Sequence, residues 1–535
     1  MGEKSTYESQ ITTYEIRTMK ELQGIKPRKY QEDIAKTCIE KNTLVVLPTG
    51  LGKTLIALMI AIDRIKKFPL EKIVILTPTR PLAEQHKESF LEKLPEGWAD
   101  IQLFTGTVKA EKRKKIWETA DIIFSTPQCI ANDLKNSLYT LKDVSLLVED
   151  ECHRCVKNYD YAYIAKRYNK EAEHPRCIGL TASPGSDPDK IREIGRNLSI
   201  QEIELRTRDS QDIIEHLQDL EFEKHEIDFP NEFVELREIL RDVYKTYTDE
   251  LRKRQFLFGQ DNKISLIMLQ NNLADQVKRN AHSPETFIGM MLCALAVKVS
   301  HGIELLETQT LKSFANYLKE LDEQGTKKVS KGATRLARNP QFQKALSFAH
   351  AHLFKGMEHP KLRETIKIIR DEIKDNPGNK TIIFTQFRDT ANIIVENLNR
   401  LSGINATVFV GQAKKNGVGL SQKEQKAMID EFKDNKTNVL VATCIAEEGL
   451  DIPEVNSVIF YEPVSSAIRS IQRRGRTARL SKGKLIMLIT MGTKDEFAHY
   501  TSRARERKMQ TQIEKIKDEL RRKGTLKEPT QIKLF

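Results

Sequence analysis

The chain has 535 residues and carries 87 Lys+Arg against 75 Asp+Glu, a net charge of +12 that suits a polyanionic partner. At roughly 150 residues per domain it holds three or four domains, and its 30% charged and 39% hydrophobic residues exclude a disordered or fibrous chain. With no apolar N-terminal h-region, no run of ~18–20 apolar residues and no cysteine framework, a reducing cytoplasm is expected, not secretion or a membrane.

Met1-Gly2-Glu3-Lys4-Ser5-Thr6 matches the N-myristoylation pattern, but no second anchor follows and a plain terminus is expected. Residues 43–200 then alternate short apolar runs with amphipathic segments. The runs Thr43–Leu47, Ile73–Thr77, Ile122–Ser125, Leu146–Glu149 and Ile178–Ala182 are rich in β-branched residues, as parallel strands buried on both faces are. Leu55–Lys66 and Pro81–Leu94 have helical spacing, so the unit is α/β with crossover helices.

From about Asn231 to Leu353 strand signals vanish. Phe233–Phe256, Ile264–Val277 and Pro284–Leu321 read as helices, the last opened by a Ser283-Pro284-Glu285 cap. Gly325–Pro340 is polar, basic and turn-rich. The α/β rhythm resumes in Lys380–Thr385, Ala406–Val410, Asn438–Thr443, Ser457–Tyr461 and Lys484–Thr490, followed by a charged helix over roughly Asp495–Lys523. The expected architecture is α/β: two parallel-sheet domains, at 1–204 and 358–500, with an all-helical insert at 205–357. A charged helix and tail occupy 501–535.

Strand Thr43–Leu47 runs into Pro48-Thr49-Gly50-Leu51-Gly52-Lys53-Thr54 and then an apolar helix, the context a phosphate-cradling loop requires. Its glycines let backbone N–H groups turn around a phosphate, and the helix N-terminus adds its positive end. Lys53 reaches the β/γ-phosphates and the Thr54 hydroxyl suits Mg²⁺. The general pattern begins with Gly where this chain has Leu47. About a hundred residues on, Leu146–Glu149 ends in Asp150-Glu151-Cys152-His153. Carboxylates at a buried strand end need a cation: Asp150 is expected to hold Mg²⁺ and Glu151 to activate the attacking water. Cys152-His153-Arg154-Cys155 is half of a zinc pattern with no second pair, so no zinc is expected.

These motifs, and those that follow, resemble the superfamily 2 helicases. Arg28-Lys29-Tyr30-Gln31 is similar to their adenine-reading motif, which implies an adenine contact for Gln31. Arg80 in Thr77–Leu82, Gly106 after Thr105, and Thr126 in Ser125–Gln128 match motifs that contact the nucleic-acid backbone, as do Gln386 in Phe384–Arg388 and Thr443 in Val441–Thr443. Thr181-Ala182-Ser183, with His153, resembles the group that links ATP to nucleic acid. Glu448-Gly449-Leu450-Asp451 and Gln472-Arg473-Arg474-Gly475-Arg476-Thr477-Ala478-Arg479 complete the set, giving Gly449 and Asp451 to the nucleotide and Gln472 to catalysis. Arg476 and Arg479, three apart on a helix, share one face and serve as arginine fingers.

Within the superfamily the likeness is to the archaeal Hef and eukaryotic FANCM branch, over about Lys20 to Lys515. It extends through Phe409-Val-Gly-Gln412, where Gln412 is a further nucleic-acid candidate, and His301-Gly-Ile-Glu-Leu-Leu-Glu-Thr-Gln309 in the insert. The resemblance implies two RecA-like domains and an ATP- and Mg²⁺-driven motor on forked or branched DNA in repair, nucleoid-associated, its insert touching the branch. This sequence departs in having Cys152 in Asp-Glu-Cys-His and Glu149 just before it, a third carboxylate able to alter local pKa values. Glu506-Arg507-Lys508 mimics part of the nuclease motif of some relatives, but no Asp completes it. It is read as coincidence, with any nuclease acting in trans.

Lys327, Lys328, Lys331, Arg335 and Arg338 form either a solvated charged loop or a phosphate-contacting patch. In the last residues Gln531, Leu534 and Phe535 resemble a sliding-clamp-binding peptide, or else the tail docks on its own protein. Two alternatives to the DNA motor stand. One is a duplex-RNA-stimulated ATPase of the RIG-I and Dicer helicase type, and the other a clamp-tethered DNA-binding scaffold whose ATPase only switches conformation.

Overall fold

The computed structural model describes residues 21–216, 219–278, 283–411, 419–443, 446, 452–477, 482–524 and 526. Among them, two parallel sheets form the frame. The first contains β1 (Thr43–Val46), β2 (Lys72–Leu76), β3 (Ile101–Phe104), β4 (Ile122–Ser125), β5 (Val144–Asp150), β6 (Cys177–Thr181) and β7 (Glu202–Leu205), in the order β3-β4-β2-β5-β6-β1-β7. Its inner strands are buried along their whole length. Their side chains alternate between two cores: Val74 and Leu147 join one, Ile73, Ile75 and Val148 the other.

The second sheet orders β8 (Leu220–Ile227), β9 (Thr381–Phe384), β10 (Ala406–Phe409), β11 (Val439–Ala442), β12 (Ser457–Phe460) and β13 (Gly483–Thr490) as β10-β11-β9-β12-β13-β8. Here the structure corrects the expected boundary of the insert at 205–357. Residues 220–227 are a strand paired in parallel with β13 along its full length. The chain therefore enters the second lobe first, leaves it for the helices, and returns through the helix Pro360–Asp375 to β9. β8 gives no strand signal because its run Leu-Glu-Phe-Glu-Lys-His-Glu-Ile is half charged and mostly solvent-accessible.

The insert is a bundle of Asn231–Lys253, Lys263–Lys278, Pro284–Thr308, Leu311–Thr326, Lys331–Ala337 and Pro340–Phe354 around its own apolar core. The continuous helix expected over Pro284–Leu321 is two. Gln309 is extended, and the Thr310 hydroxyl accepts from the Ser313 N–H to start the second helix. Pro284–Thr308 is long and apolar enough to cross a bilayer by length and composition, but Leu292, Leu295, Ala296, Val299, Leu305 and Leu306 are buried in the bundle. Within the turn-rich stretch Gly325–Pro340, Ser330 caps a short helix, Lys331–Ala337.

The charged helix Lys494–Lys523 is a strap across both lobes. At its start Asp495 pairs with fully buried Lys361 of the second lobe. Toward its end Met509, Ile513, Ile516 and Leu520 are buried in the core of the first, against Ile191, Ile194 and Ile203.

Candidate active site and nucleic-acid face

The strand order places β1, β6 and β5 side by side, so the ends that carry the phosphate loop, Thr181 and Asp150 are neighbours. Ligands gather at the carboxyl ends of strands in open parallel sheets. In the loop Gly50 and Gly52 have φ of +83° and +77°, the left-handed region. A Cβ on Gly52 would lie 2.3 Å from Gln31 Nε2. Lys53 caps its own loop, Nζ donating to the Leu47 carbonyl at 2.9 Å. Gln31 is already engaged: its Nε2 donates to the Leu51 carbonyl at 3.1 Å and its Oε1 accepts from the Arg28 N–H at 2.9 Å. Tyr30 adds a second donor to Leu51, at 2.9 Å. The expected adenine reader thus also fastens the phosphate loop from behind.

Asp150 Oδ2 lies 3.0 Å from His86 Nε2, and Oδ1 is buried without a hydrogen-bond partner. Burial alone raises such a carboxyl, but the His86 hydrogen bond and the charges of His86 and Lys53 hold it below its usual range. An ionised buried oxygen with no partner beside a phosphate loop fits a hard divalent cation, and Thr54 lies in the first turn of the loop's helix. Glu151 has φ +52°, a strained conformation for a non-glycine residue at a strand end. His153 Nδ1 lies 3.2 Å from Glu151 and 3.3 Å from the Thr181 hydroxyl, and the Ser183 N–H donates to that hydroxyl at 3.1 Å. His153, Thr181 and Ser183 therefore form one connected group. Glu149 is not part of the phosphate site. Strand alternation turns it toward Cys155, and burial pushes its carboxyl up to about 8.

The second lobe closes on this site through Gly475, where an added Cβ would fall 1.7 Å from Thr49 Oγ1. Between the lobes lies a cavity of about 240 Å³ lined by Pro48, Thr49, Ala182, Arg208, Arg474 and Met509, among others. Gln472 is buried on the helix Ala467–Arg474. Arg476 is buried too, but it lies beyond that helix and not on it. Thr477 donates to the Val455 carbonyl at 2.7 Å and draws the chain into a bridge, so Arg476 stands on no helical face. Arg479, Gly449, Asp451, Gln412, Gln531, Leu534 and Phe535 lie outside the described residues.

The remaining candidates occupy other strand ends. Arg80, Gly106 and Thr126 follow β2, β3 and β4, at the half of the first sheet away from the phosphate loop. Gln386 and Thr443 follow β9 and β11, neighbours in the second. Arg80 pairs with Glu84 at 2.7 Å, Gly106 and Gln386 are exposed, and Thr443 is buried. In the insert Lys327, Lys328, Lys331 and Arg338 are exposed. Arg335 is not part of that patch, being paired with Glu250 and lying 5.7 Å from the Tyr247 ring.

Several participants carry no sequence signal of their role. His86 stands in an amphipathic helix that has no motif of its own. The strap contributes Glu506, which holds Arg474 through both oxygens at 2.7 Å, and Met509, whose sulfur receives the Ser183 hydroxyl at 2.9 Å. Glu506 is thus a clasp between the strap and the second-lobe helix Ala467–Arg474.

Three family models match the chain: "DEAD/DEAH box helicase" over residues 28–191, "Helicase conserved C-terminal domain" over 362–481, and an "ATP-dependent RNA helicase, helical bundle" description over 232–352. A Methanocaldococcus jannaschii protein named for ATP-dependent RNA helicase activity, MJ1505, is 37% identical over 91% of this chain and 60% of its own length. The Neurospora crassa ATP-dependent DNA helicase mph1 is 33% identical over 88% of this chain, which spans 41% of it. The crystal structure of the Pyrococcus furiosus Hef helicase domain superposes with a TM-score of 0.68 at 42% identity, covering 89% of this chain and 98% of that one. With both helicase domains, the bundle between them and this structural match, the chain belongs to the Hef and FANCM branch of the ATP-dependent superfamily 2 helicases.

Proposed function

We propose that the protein is an ATP-driven DNA helicase or translocase that remodels forked or branched DNA. The observation that carries the reading is the division of strand ends within one frame. ATP-site candidates end β1, β5 and β6, nucleic-acid candidates end β2, β3, β4, β9 and β11, and His153–Thr181–Ser183 stands among the former, tied to the strap. Support for DNA comes from the relative named as a DNA helicase.

Bound ATP would supply the scissile phosphoanhydride and Mg²⁺ a charge-neutralising cation, which Thr54 and Asp150 would hold. Lys53 leaves the Leu47 carbonyl for the phosphates. Glu151, steadied by His153, takes the proton of the attacking water. Arg476, and Arg479 with it, supplies positive charge from the second lobe where charge grows in the transition state. The Gly475–Thr49 contact lets the two lobes approach that closely.

The test is the steady-state ATPase rate with equal nucleotide amounts of forked DNA, linear duplex DNA and duplex RNA. Selective stimulation by the fork, abolished by Lys53→Ala and accompanied by strand displacement, is expected. A second reading, duplex RNA as the activator, is favoured by the names of MJ1505 and the bundle family; strongest stimulation by RNA establishes it instead. ATP hydrolysis without strand displacement supports the scaffold reading. Removing residues 525–535 tests the clamp tether, since unchanged binding to a sliding clamp eliminates it.

A further inference from the structure

The run His301–Gln309, which ends the long insert helix, is not used by the phosphate chemistry. Its polar groups join the insert to the strap and the second lobe. Glu307 accepts from the Lys494 N–H at 3.2 Å, and the Thr308 carbonyl receives Lys361 Nζ at 3.2 Å. Gln309, fully buried, fills the break between the two helices. Its Nε2 donates to Glu462 Oε2 at 3.3 Å and its Oε1 accepts from the Thr385 hydroxyl at 3.4 Å. The other oxygen of Glu462 accepts from the backbone N–H of Gln386. Two links therefore separate the insert from the exposed carboxyl end of β9.

A passive seam would be filled with apolar side chains, because a buried Gln and Glu are costly to desolvate. What a polar pair adds is a fixed direction, since each hydrogen bond has one good geometry. We propose that Gln309 and Glu462 are positioning residues: they set the nucleic-acid-facing end of β9 from the seat of the helical insert, so that insert and second lobe engage the substrate as one body. The proposal rests on the reading of Gln386 as a nucleic-acid contact. Glu462 is met by Arg473 from the helix before Gly475, Lys361 from Pro360–Asp375, Asp495 from the strap and Gln309 from the insert. Burial pushes its carboxyl up to about 7, against the pull of Arg473 and Lys361.

The experiment uses the full chain with Gln309→Leu, Glu462→Gln and Gln386→Ala, and measures basal ATPase, its KM for forked DNA and kcat between about pH 6 and about pH 8.5, and the melting midpoint. Gln309→Leu is expected to raise the DNA KM roughly tenfold, the scale of one missing buried hydrogen bond, with the basal rate unchanged. Glu462→Gln imitates the protonated carboxyl. It should hold, across the whole range, the KM that the unaltered protein shows at the acid end. An unchanged KM in folded Gln309→Leu overturns the proposal, as does a wild-type pH profile in Glu462→Gln, which decides the matter should Gln309→Leu fail to fold. If Gln386→Ala leaves KM unchanged, the nucleic-acid reading of β9 falls and the positioning role with it. If Gln386→Ala raises KM and Gln309→Leu does not, the positioning role alone falls.

Discussion

Two buried carboxyls one residue apart on β5 have opposite fates because successive side chains leave a strand on opposite sides. Asp150 meets His86 and Lys53 and stays ionised. Replacing His86 with Ala should lower kcat for ATP hydrolysis on the order of tenfold, since Asp150 then loses its orienting partner; a kcat equal to wild type would show the pair to be idle. Glu149 has no such partner, and its folded pKa of about 8 lies above the ordinary 4.5. The native state therefore keeps a proton that the unfolded chain releases. The stability this provides is complete below about pH 4.5 and lost as pH rises through about 8. Melting midpoints of Glu149→Gln should fall less than those of wild type over that window. The sequence announces Glu149 only as a third carboxylate near the phosphates. Which face it takes depends on register, which emerges only when β5 pairs with its neighbours.

At the scale of elements, all ten strands read from apolar runs are present, and the three without such a run, β3, β7 and β8, are all sheet edges. An edge strand has one neighbour and is less enclosed, so Glu-Ile-Glu-Leu and Leu-Glu-Phe-Glu-Lys-His-Glu-Ile lack the continuous apolar signal of inner strands. The phosphate loop is legible because its chemistry is local. His86, Glu506 and Met509 are not, because they reach the site only through tertiary packing. The strap reads as a charged helix, and its apolar residues at 509, 513, 516 and 520 have the 4-3-4 spacing of one buried stripe. Ile513→Ala should cost about 2–4 kcal/mol of stability, as truncation of a fully buried side chain does. A chemical denaturation curve with an unchanged midpoint would place the strap off the first lobe. Exchanging the charges in Arg474→Glu with Glu506→Arg should recover part of the nucleic-acid-stimulated ATPase that Arg474→Glu alone abolishes. Recovery of nothing would mean that the clasp matters only through Arg474 itself.

For the whole molecule, Lys327, Lys328, Lys331 and Arg338 lie exposed on the helical insert, and Arg335 is withdrawn from them into its ion pair. Replacing Lys327, Lys328, Lys331 and Arg338 with Ala should weaken fork binding and flatten its salt dependence, by about one unit of logarithmic slope for each phosphate no longer neutralised. A slope identical to wild type would return the patch to ordinary solvated surface.

The strap also changes what kind of joint the molecule has. The polypeptide passes from the first lobe to the second before β8 and passes back along Lys494–Lys523. Two passages fix a line, and bodies held at both ends of a line can swing about it but cannot twist freely. Each cycle should thus retrace the same arc, like a gate on a pair of pins, and cutting the backbone inside the strap would turn a directed stroke into an undirected wobble.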